Sequence, residues 1–280
     1  LAGSGNTLIG LPWAAEFAAR YARYIDRFIE FPGYPGLPER EPLLARIPEF
    51  LTAMQREKFD LALQLHGSGT IVNSLLALFG ARQTAGFFPP GYFCPDRATF
   101  IPWPDQGLEI HRLLSLVDFL GLPIVGDHLE LPLDESDRAA LDQIFPHPKE
   151  GQPYVVFHPG ASTPARRWAA DNFAAVADRL AEDDFQIVVT GVVSEQAVVN
   201  QMIGAMESPA IDLCGRTELG TLGALVSRAD LVVCNDTGIS HVAAAVKTPS
   251  VVISTATIPL AGRRSIVTGI AFYATAQAFS

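Results

Sequence analysis

From Tyr154 onward, short apolar runs alternate with amphipathic stretches. The segments "YVVFHPG", "FQIVVTG", "AIDLCG", "LVVCN" and "PSVVIS" lack an in-and-out alternation, as expected of strands covered on both faces. Between them, "ADNFAAVADRLAEDD" sets Phe173, Val176, Ala177 and Leu180 on one helical face, and "SEQAVVNQMIGAM" begins with Ser194 in an N-cap position. "LGTLGALVSRA" and "ISHVAAAV" read as two further helices. Strands separated by helical crossovers predict an α/β fold with a parallel, doubly wound sheet of Rossmann type.

The first half repeats the style with weaker punctuation. "NTLIGL", "DRFIEF", "FDLALQL" and "RQTAGFF" read as strands, while "PWAAEFAARYARY", a stretch ending near Arg56, "TIVNSLLALFG" and Leu108 to Leu120 read as helices. The Pro- and Gly-containing segment "FPHPKEGQP", 145–153, reads as a linker. Two Rossmann-like domains are therefore expected, 1–147 and 148–280. The opening "LAGSG" leads almost directly into a strand, and the tail "GRRSIVTGIAFYATAQAFS" has no clear caps, so both ends are expected to be atypical and the first domain truncated at its start.

Charge and cysteine content narrow the chemistry. The formal net charge is -10, which lacks the basic footprint needed to neutralise nucleic-acid phosphates, so no nucleic-acid partner is expected. Cys94, Cys214 and Cys234 are too few and too scattered for a disulfide framework and fit a reducing, cytoplasmic compartment. No clustered His, Asp or Glu set suggests a metal.

Ligands of open parallel sheets bind outside the carboxyl ends of the strands, so the loops there carry the candidate chemistry. "HPGASTPARRW", 158–168, offers Gly160, the hydroxyls of Ser162 and Thr163, and the guanidinium groups of Arg166 and Arg167. Hydroxyls, amides and guanidinium groups all donate to phosphate oxygens, which suits a diphosphate better than a bare surface loop. "NDTGISH" groups Asp236, Thr237, Gly238 and His241 where strand meets helix, with Asp236 either a helix cap or a ligand contact. "DTG" also occurs in aspartic proteases, but those need two carboxylates on a β-built frame. Glu195 stands at a helix start, where it can accept ribose hydroxyls or simply favour the helix dipole. In the first half, His66 of "HGSG" is an acceptor-side candidate or a loop-bonding residue. No G-x-S-x-G, Walker or G-x-G-x-x-G motif is present.

Taken together, "HPGAS…RRW…F", "VVTG…E", "DLCGRTELGTLGALVSRADLVVCNDTGISHVAAA" and "TPSVV" resemble glycosyltransferase family 9, the ADP-heptose:lipopolysaccharide heptosyltransferases. The resemblance continues more loosely through "FDLALQLHGSG" and "GARQTAGF". It implies the GT-B architecture and inverting transfer of heptose from ADP-heptose to the lipopolysaccharide inner core, with the ADP-sugar as substrate and no cofactor. It also implies that Ser162, Thr163 and Arg166 grip the diphosphate, where the family often has Lys in place of Arg166. Glu195 would contact ribose, and Asp236, Thr237, Gly238 and His241 would hold the donor sugar and phosphate. The family's catalytic base is an Asp in an initial strand-and-loop unit, and this sequence is expected to begin after it, so the base is unassigned. Two alternatives stand beside transfer: a non-catalytic sugar-nucleotide-binding protein, and a GT-B-like sugar-nucleotide epimerase. Peripheral contact with the inner face of the cytoplasmic membrane is a further expectation.

Overall fold

The computed structural model describes residues 5–105, 108–145, 152–254 and the backbone of 271–274. The chain divides into two compact units, Leu1–Asp127 and His128–Ser280.

The first unit contains β1 (Thr7–Gly10), α1 (Ala14–Arg20), β2 (Arg27–Glu30), α2 (Ile47–Glu57), β3 (Leu61–Leu63), α3 (Val72–Ala77), β4 (Gln83–Phe88), β5 (Phe100–Pro102) and α4 (Glu109–Phe119). Every described strand pair in it is parallel, in a two-stranded sheet β1-β2 and a three-stranded sheet β3-β4-β5. Its core forms where the apolar face of α2, Phe50 and Met54, meets Leu75 and Leu76 of α3 with Phe79 and Phe100. Phe50 stands edge-on to Phe31 at 5.6 Å and to Phe79 at 5.8 Å, a favoured aromatic geometry.

The second unit contains α5 (Glu135–Ile144), β6 (Tyr154–His158), α6 (Ala170–Glu182), β7 (Gln186–Val189), α7 (Gln196–Ala205), β8 (Ala210–Asp212), α8 (Leu219–Ser227), β9 (Leu231–Asn235), α9 (Gly238–Val246), β10 (Ser250–Ser254) and β11 (Ala271–Ala274). Its sheet runs in the order β11-β10-β9-β6-β7-β8. Five of these strands are parallel, and successive residues of β6 serve opposite faces. Tyr154 and Val156 join Val188, Val232, Leu225 and Ala243 on one side. Val155 and Phe157 join Ile187, Val189, Phe173 and Met202 on the other. Each such side chain contributes about 1.5–3 kcal/mol on burial, so the two apolar faces dominate this unit's stability. Continuous apolar strands are thus explained by helices on both sides, as the sequence pattern implied.

Several features differ from the sequence reading, among them Ser194, which lies inside a 3-10 turn, Val193–Glu195, while Glu195 takes the N-cap position of α7. The units divide before α5, not in the segment 145–153, of which 146–151 lie outside the described residues. The cause is α5 itself, which the apolar pattern does not reveal. Asp134 caps it by accepting from the Asp137 amide at 3.0 Å while Asp137 accepts from the Asp134 amide at 3.1 Å. Leu141 and Phe145 then enter the core beside α8, and Asp142 meets Arg228 at 3.0 Å. The short strand β5 was also unread. Finally, part of the tail forms β11, which pairs antiparallel with β10 from Val251↔Ala274 to Ser254↔Ala271.

Candidate functional site at the sheet switch point

The strand order places the second unit's switch point between β6 and β9. From β6 the chain moves outward through β7 to β8, then returns to lay β9 against the other side of β6. At that crossing the register pairs His158 with Cys234, so the loops leaving β6 and β9 emerge side by side. The loop after β7 leaves on the other flank of β6, with Phe157 opposite Val189. Ligands of open α/β sheets bind at such a point.

The loop from Pro159 to Trp168 is held at its base and open at its tip. Arg167 donates to the Ala161 carbonyl through Nε at 3.0 Å and Nη2 at 2.8 Å. The adjacent arginines therefore separate: Arg167 holds the loop, contrary to its expected share in phosphate binding, while Arg166 is exposed at the end of a 3-10 turn, Pro164–Arg166. Ser162 and Thr163 are exposed on the same tip. Asn235, buried at the end of β9, bonds three backbone groups of this loop.

Asp236 follows β9, and its amide donates to the Ile253 carbonyl at 3.1 Å, which ties its backbone to β10. The side chain is exposed, and it is not the helix cap. Thr237 occupies the N-cap of α9 without a side-chain capping bond, and its carbonyl takes the Ser240 amide at 3.0 Å, which leaves the Gly238 and Ile239 amides for an acceptor. A Cβ at Gly238 would meet nothing within 4 Å, so protein packing does not demand glycine there. His241 is exposed on α9. Among the described residues, the side chains of Ser162, Thr163, Arg166, Asp236 and His241 make no hydrogen bond or ion pair.

Glu195 is the exception, because its carboxylate is already engaged. It ends a 3-10 turn, Val193–Glu195, and is 8% exposed. Its Oε2 accepts from the Val192 amide at 2.9 Å and faces His158 Nε2 at 3.4 Å. The His158 hydrogen bond, with help from the Val192 amide and the charges of His158 and Arg167, outweighs burial and holds the Glu195 carboxyl below its ordinary value. His158 Nδ1 in turn lies 3.1 Å from Thr190 Oγ1. The carboxylate as a whole, both oxygens included, lies against Gly160. A Cβ on Gly160 would collide with the whole carboxylate, so a larger residue there has to displace Glu195.

His66 lies in the first unit, where its Nε2 sits 3.1 Å from Glu39. Its loop is bonded by Gln64, whose amide donates to the His66 carbonyl and, at 3.1 Å, to the Gly67 carbonyl, and whose Oε1 accepts from the Phe87 amide at 3.1 Å. Asn235, His158 and Thr190 escaped the sequence reading. Their one sequence signal is a polar residue closing an otherwise apolar strand, as in "LVVCN" and "YVVFH". Among the described residues no group of three or more His, Cys, Asp or Glu is arranged to hold a metal. Cys234 is buried, which pushes its thiol up to about 12 and makes it inert.

Comparison with known proteins gives this geometry a family. The model for glycosyltransferase family 9 (heptosyltransferase) matches residues 49–263. Lipooligosaccharide heptosyltransferase 2 of Haemophilus ducreyi is 31% identical over 287 residues, covering 88% of this chain and 81% of that protein. Lipopolysaccharide heptosyltransferase 2 of Salmonella typhimurium is 29% identical over 163 residues, covering 54% of this chain and 46% of that protein, so the match spans about half the length of that relative. Among solved structures, the glycosyl transferase family 9 protein from Veillonella parvula superposes with a TM-score of 0.65 at 18% identity, over 89% of this chain and 80% of that one. ADP-heptose lps heptosyltransferase II of E. coli gives a TM-score of 0.65 at 19% identity, over 90% and 76%. These structural likenesses show the GT-B fold. With the family model covering most of the sequence, the chain belongs to glycosyltransferase family 9, the heptosyltransferases.

Proposed function

We propose that this protein is an inverting glycosyltransferase that moves heptose from ADP-heptose to the inner core of lipopolysaccharide. One observation carries the reading. A guanidinium, two hydroxyls, a carboxylate and the first two amides of α9, none bonded within the described protein, lie on loops that leave adjacent strands at the sheet switch point, which supports a shared site. In an acidic chain, that is a local site for an anion attached to a polyol.

The roles follow from the chemistry of each group. Ser162, Thr163 and Arg166 donate to the diphosphate, and the first amides of α9 add donors on the opposite side. When the bond to the anomeric carbon breaks, charge gathers on the β-phosphate, and these donors offset it without reorganising. Asp236 accepts from sugar hydroxyls, and Glu195, held by Val192 and His158, is the carboxylate assigned to the ribose. The base that activates the acceptor is assigned to no residue of this chain. A metal or cofactor enters none of these roles.

A peripheral contact with the inner face of the cytoplasmic membrane completes the proposal, since the acceptor is a lipid-borne sugar. Exposed Trp13, Phe17 and Tyr24 beside Arg20 and Arg23 support it, because aromatic and basic residues favour the bilayer interface. No helix among the described residues is long and apolar enough to cross a membrane.

The test is ADP release from ADP-heptose with and without lipopolysaccharide core acceptor, beside a panel of UDP- and GDP-sugars. Acceptor-dependent release from ADP-heptose supports transfer. Tight binding without release indicates the binding-protein alternative, and a changed sugar without acceptor indicates the epimerase. Arg166→Ala is expected to weaken ADP binding about tenfold, the scale of one charge-assisted hydrogen bond. Unchanged affinity removes Arg166 from the site.

A further inference from the structure

We propose that Asn235 is the positioning residue that fixes the phosphate-gripping loop in register with Asp236, so that one side chain couples the diphosphate and sugar halves of the site. The inference rests on the donor-site reading above. Asn235 is fully buried at the carboxyl end of β9. Its Oδ1 accepts from the Trp168 amide at 2.9 Å, and its Nδ2 donates to the carbonyls of Pro159 at 2.8 Å and Gly160 at 3.2 Å. One carboxamide therefore holds the departing and the returning arm of the loop that displays Ser162, Thr163 and Arg166.

Those partners also fix the amide's orientation. A flipped carboxamide would set its oxygen against two carbonyls and its NH2 against an N–H. No other neutral side chain of this reach carries both an acceptor for Trp168 and donors for Pro159 and Gly160. Leucine would leave all three backbone groups unpaired in a buried place.

The coupling follows from the next residue. Asp236 is joined to Asn235 by one peptide bond, and its own amide is tied to Ile253 of β10 at 3.1 Å. Its backbone is thus part of the sheet, whereas the loop's hydrogen bonds to the end of β9 all run through Asn235, and Trp168 adds apolar packing on Phe173. Arg167 closes the loop on itself at Ala161 and does not tie it to β9. Movement of the two arms of the loop, at Pro159–Gly160 and at Trp168, relative to Asp236 therefore requires breaking the Asn235 bonds.

Asn235→Asp is the informative variant, because it keeps volume and the acceptor for Trp168 but sets oxygen against the Pro159 and Gly160 carbonyls. Asn235→Ser is the second variant, should the first fail to fold; it removes all three bonds and leaves room for water. Two readouts are used on whichever variant retains a cooperative melt. In hydrogen exchange, the amides of Arg166, Arg167 and Trp168 are expected to exchange about tenfold faster or more, while those of Val232 to Cys234 stay protected. In calorimetry with ADP, Arg166→Ala is expected to cost less than half as much in the Asn235 variant as in the natural chain, because a mispositioned guanidinium has less to lose.

A loop whose exchange is unchanged, or a full Arg166→Ala cost in both backgrounds, overturns the inference. A merely structural role lowers the melting temperature and leaves the two costs additive. If Arg166→Ala has no effect on ADP even in the natural chain, the donor-site reading falls, and the exchange measurement still decides whether Asn235 positions the loop.

Discussion

Replacing Gly160 by alanine tests the packing of the site directly. Alanine in place of glycine at an unstrained backbone position ordinarily stabilises a protein by about 0.4–1 kcal/mol through the unfolded chain. Here the backbone has no left-handed φ, so the substitution is conformationally allowed, but the new methyl would coincide with the Glu195 carboxylate. Glu195 must then swing away, giving up the Val192 amide at 2.9 Å and the His158 contact at 3.4 Å. Overpacking costs about 1–3 kcal/mol, and a charge-assisted hydrogen bond about 1.5–3 kcal/mol. With Glu195 displaced the hydrogen-bond loss is the governing cost, and subtracting the ordinary gain leaves a net loss of about 0.5–2.5 kcal/mol, which for a unit of this size lowers the melting temperature by roughly 1–10 °C. The assay is thermal unfolding of Gly160→Ala, Glu195→Ala and the double variant. With Glu195 truncated the collision disappears, so Gly160→Ala is expected to be neutral or slightly stabilising in that background. A Gly160→Ala variant as stable as the natural protein, or one equally damaged with and without Glu195, refutes the packing argument.

Other outcomes are expected on the same grounds. Asp236→Ala should weaken ADP-heptose at least fivefold while leaving ADP within twofold, on the scale of one hydrogen bond to a charged group; equal losses for both ligands in calorimetry would remove it from the sugar. Tyr154 donates its hydroxyl to the Leu225 carbonyl at 2.5 Å, and burial, partly countered by Arg228, raises its pKa, so the phenol stays neutral. Tyr154→Phe should therefore cost about 0.5–1.5 kcal/mol in urea unfolding by removing that hydrogen bond, while the Leu225 carbonyl keeps the Arg228 amide at 3.3 Å, and an unchanged midpoint would contradict this. The Glu195 carboxyl is held low mainly by the His158 hydrogen bond. A depressed folded value gives stability that is present above the unfolded value, about pH 4.3, and is lost as the pH falls through the folded one. Melting curves between pH 6 and 3 should thus fall more steeply for the natural protein than for Glu195→Gln; parallel curves would show that the carboxylate contributes nothing.

The second unit's parallel strands were legible because a strand covered on both faces has to be apolar throughout, and no other soluble element demands that over so short a run. Helix α5 was not, because "DESDRAALDQI" presents a mostly polar surface and buries chiefly Leu141; its signal was local, the reciprocal cap of Asp134 and Asp137. At the site, "HPGASTPARRW" and "NDTGISH" announced themselves by breaking apolar strands with small and charged residues. What the sequence could not express was the division of labour between neighbours. Arg166 and Arg167 are identical letters, and only the folded loop sends one to the Ala161 carbonyl and the other to solvent. Glu195 was legible as a carboxylate following a strand end, but its partnership with His158 spans two strands and so has no linear pattern. Asn235 was hidden for the same reason, since a polar residue at a strand end looks like the beginning of a loop.

The placement of α5 governs how the C-terminal half can be isolated. A recombinant piece opening at residue 148, the boundary the sequence suggested, would discard Leu141 and Phe145 and uncover the apolar flank of α8 around Ala224 and Leu225. Such a surface invites self-association. A piece opening upstream of Leu131, with Leu131, Leu133 and the Asp134 cap retained, keeps that flank covered, since Leu131 and Leu133 rest against Gly223.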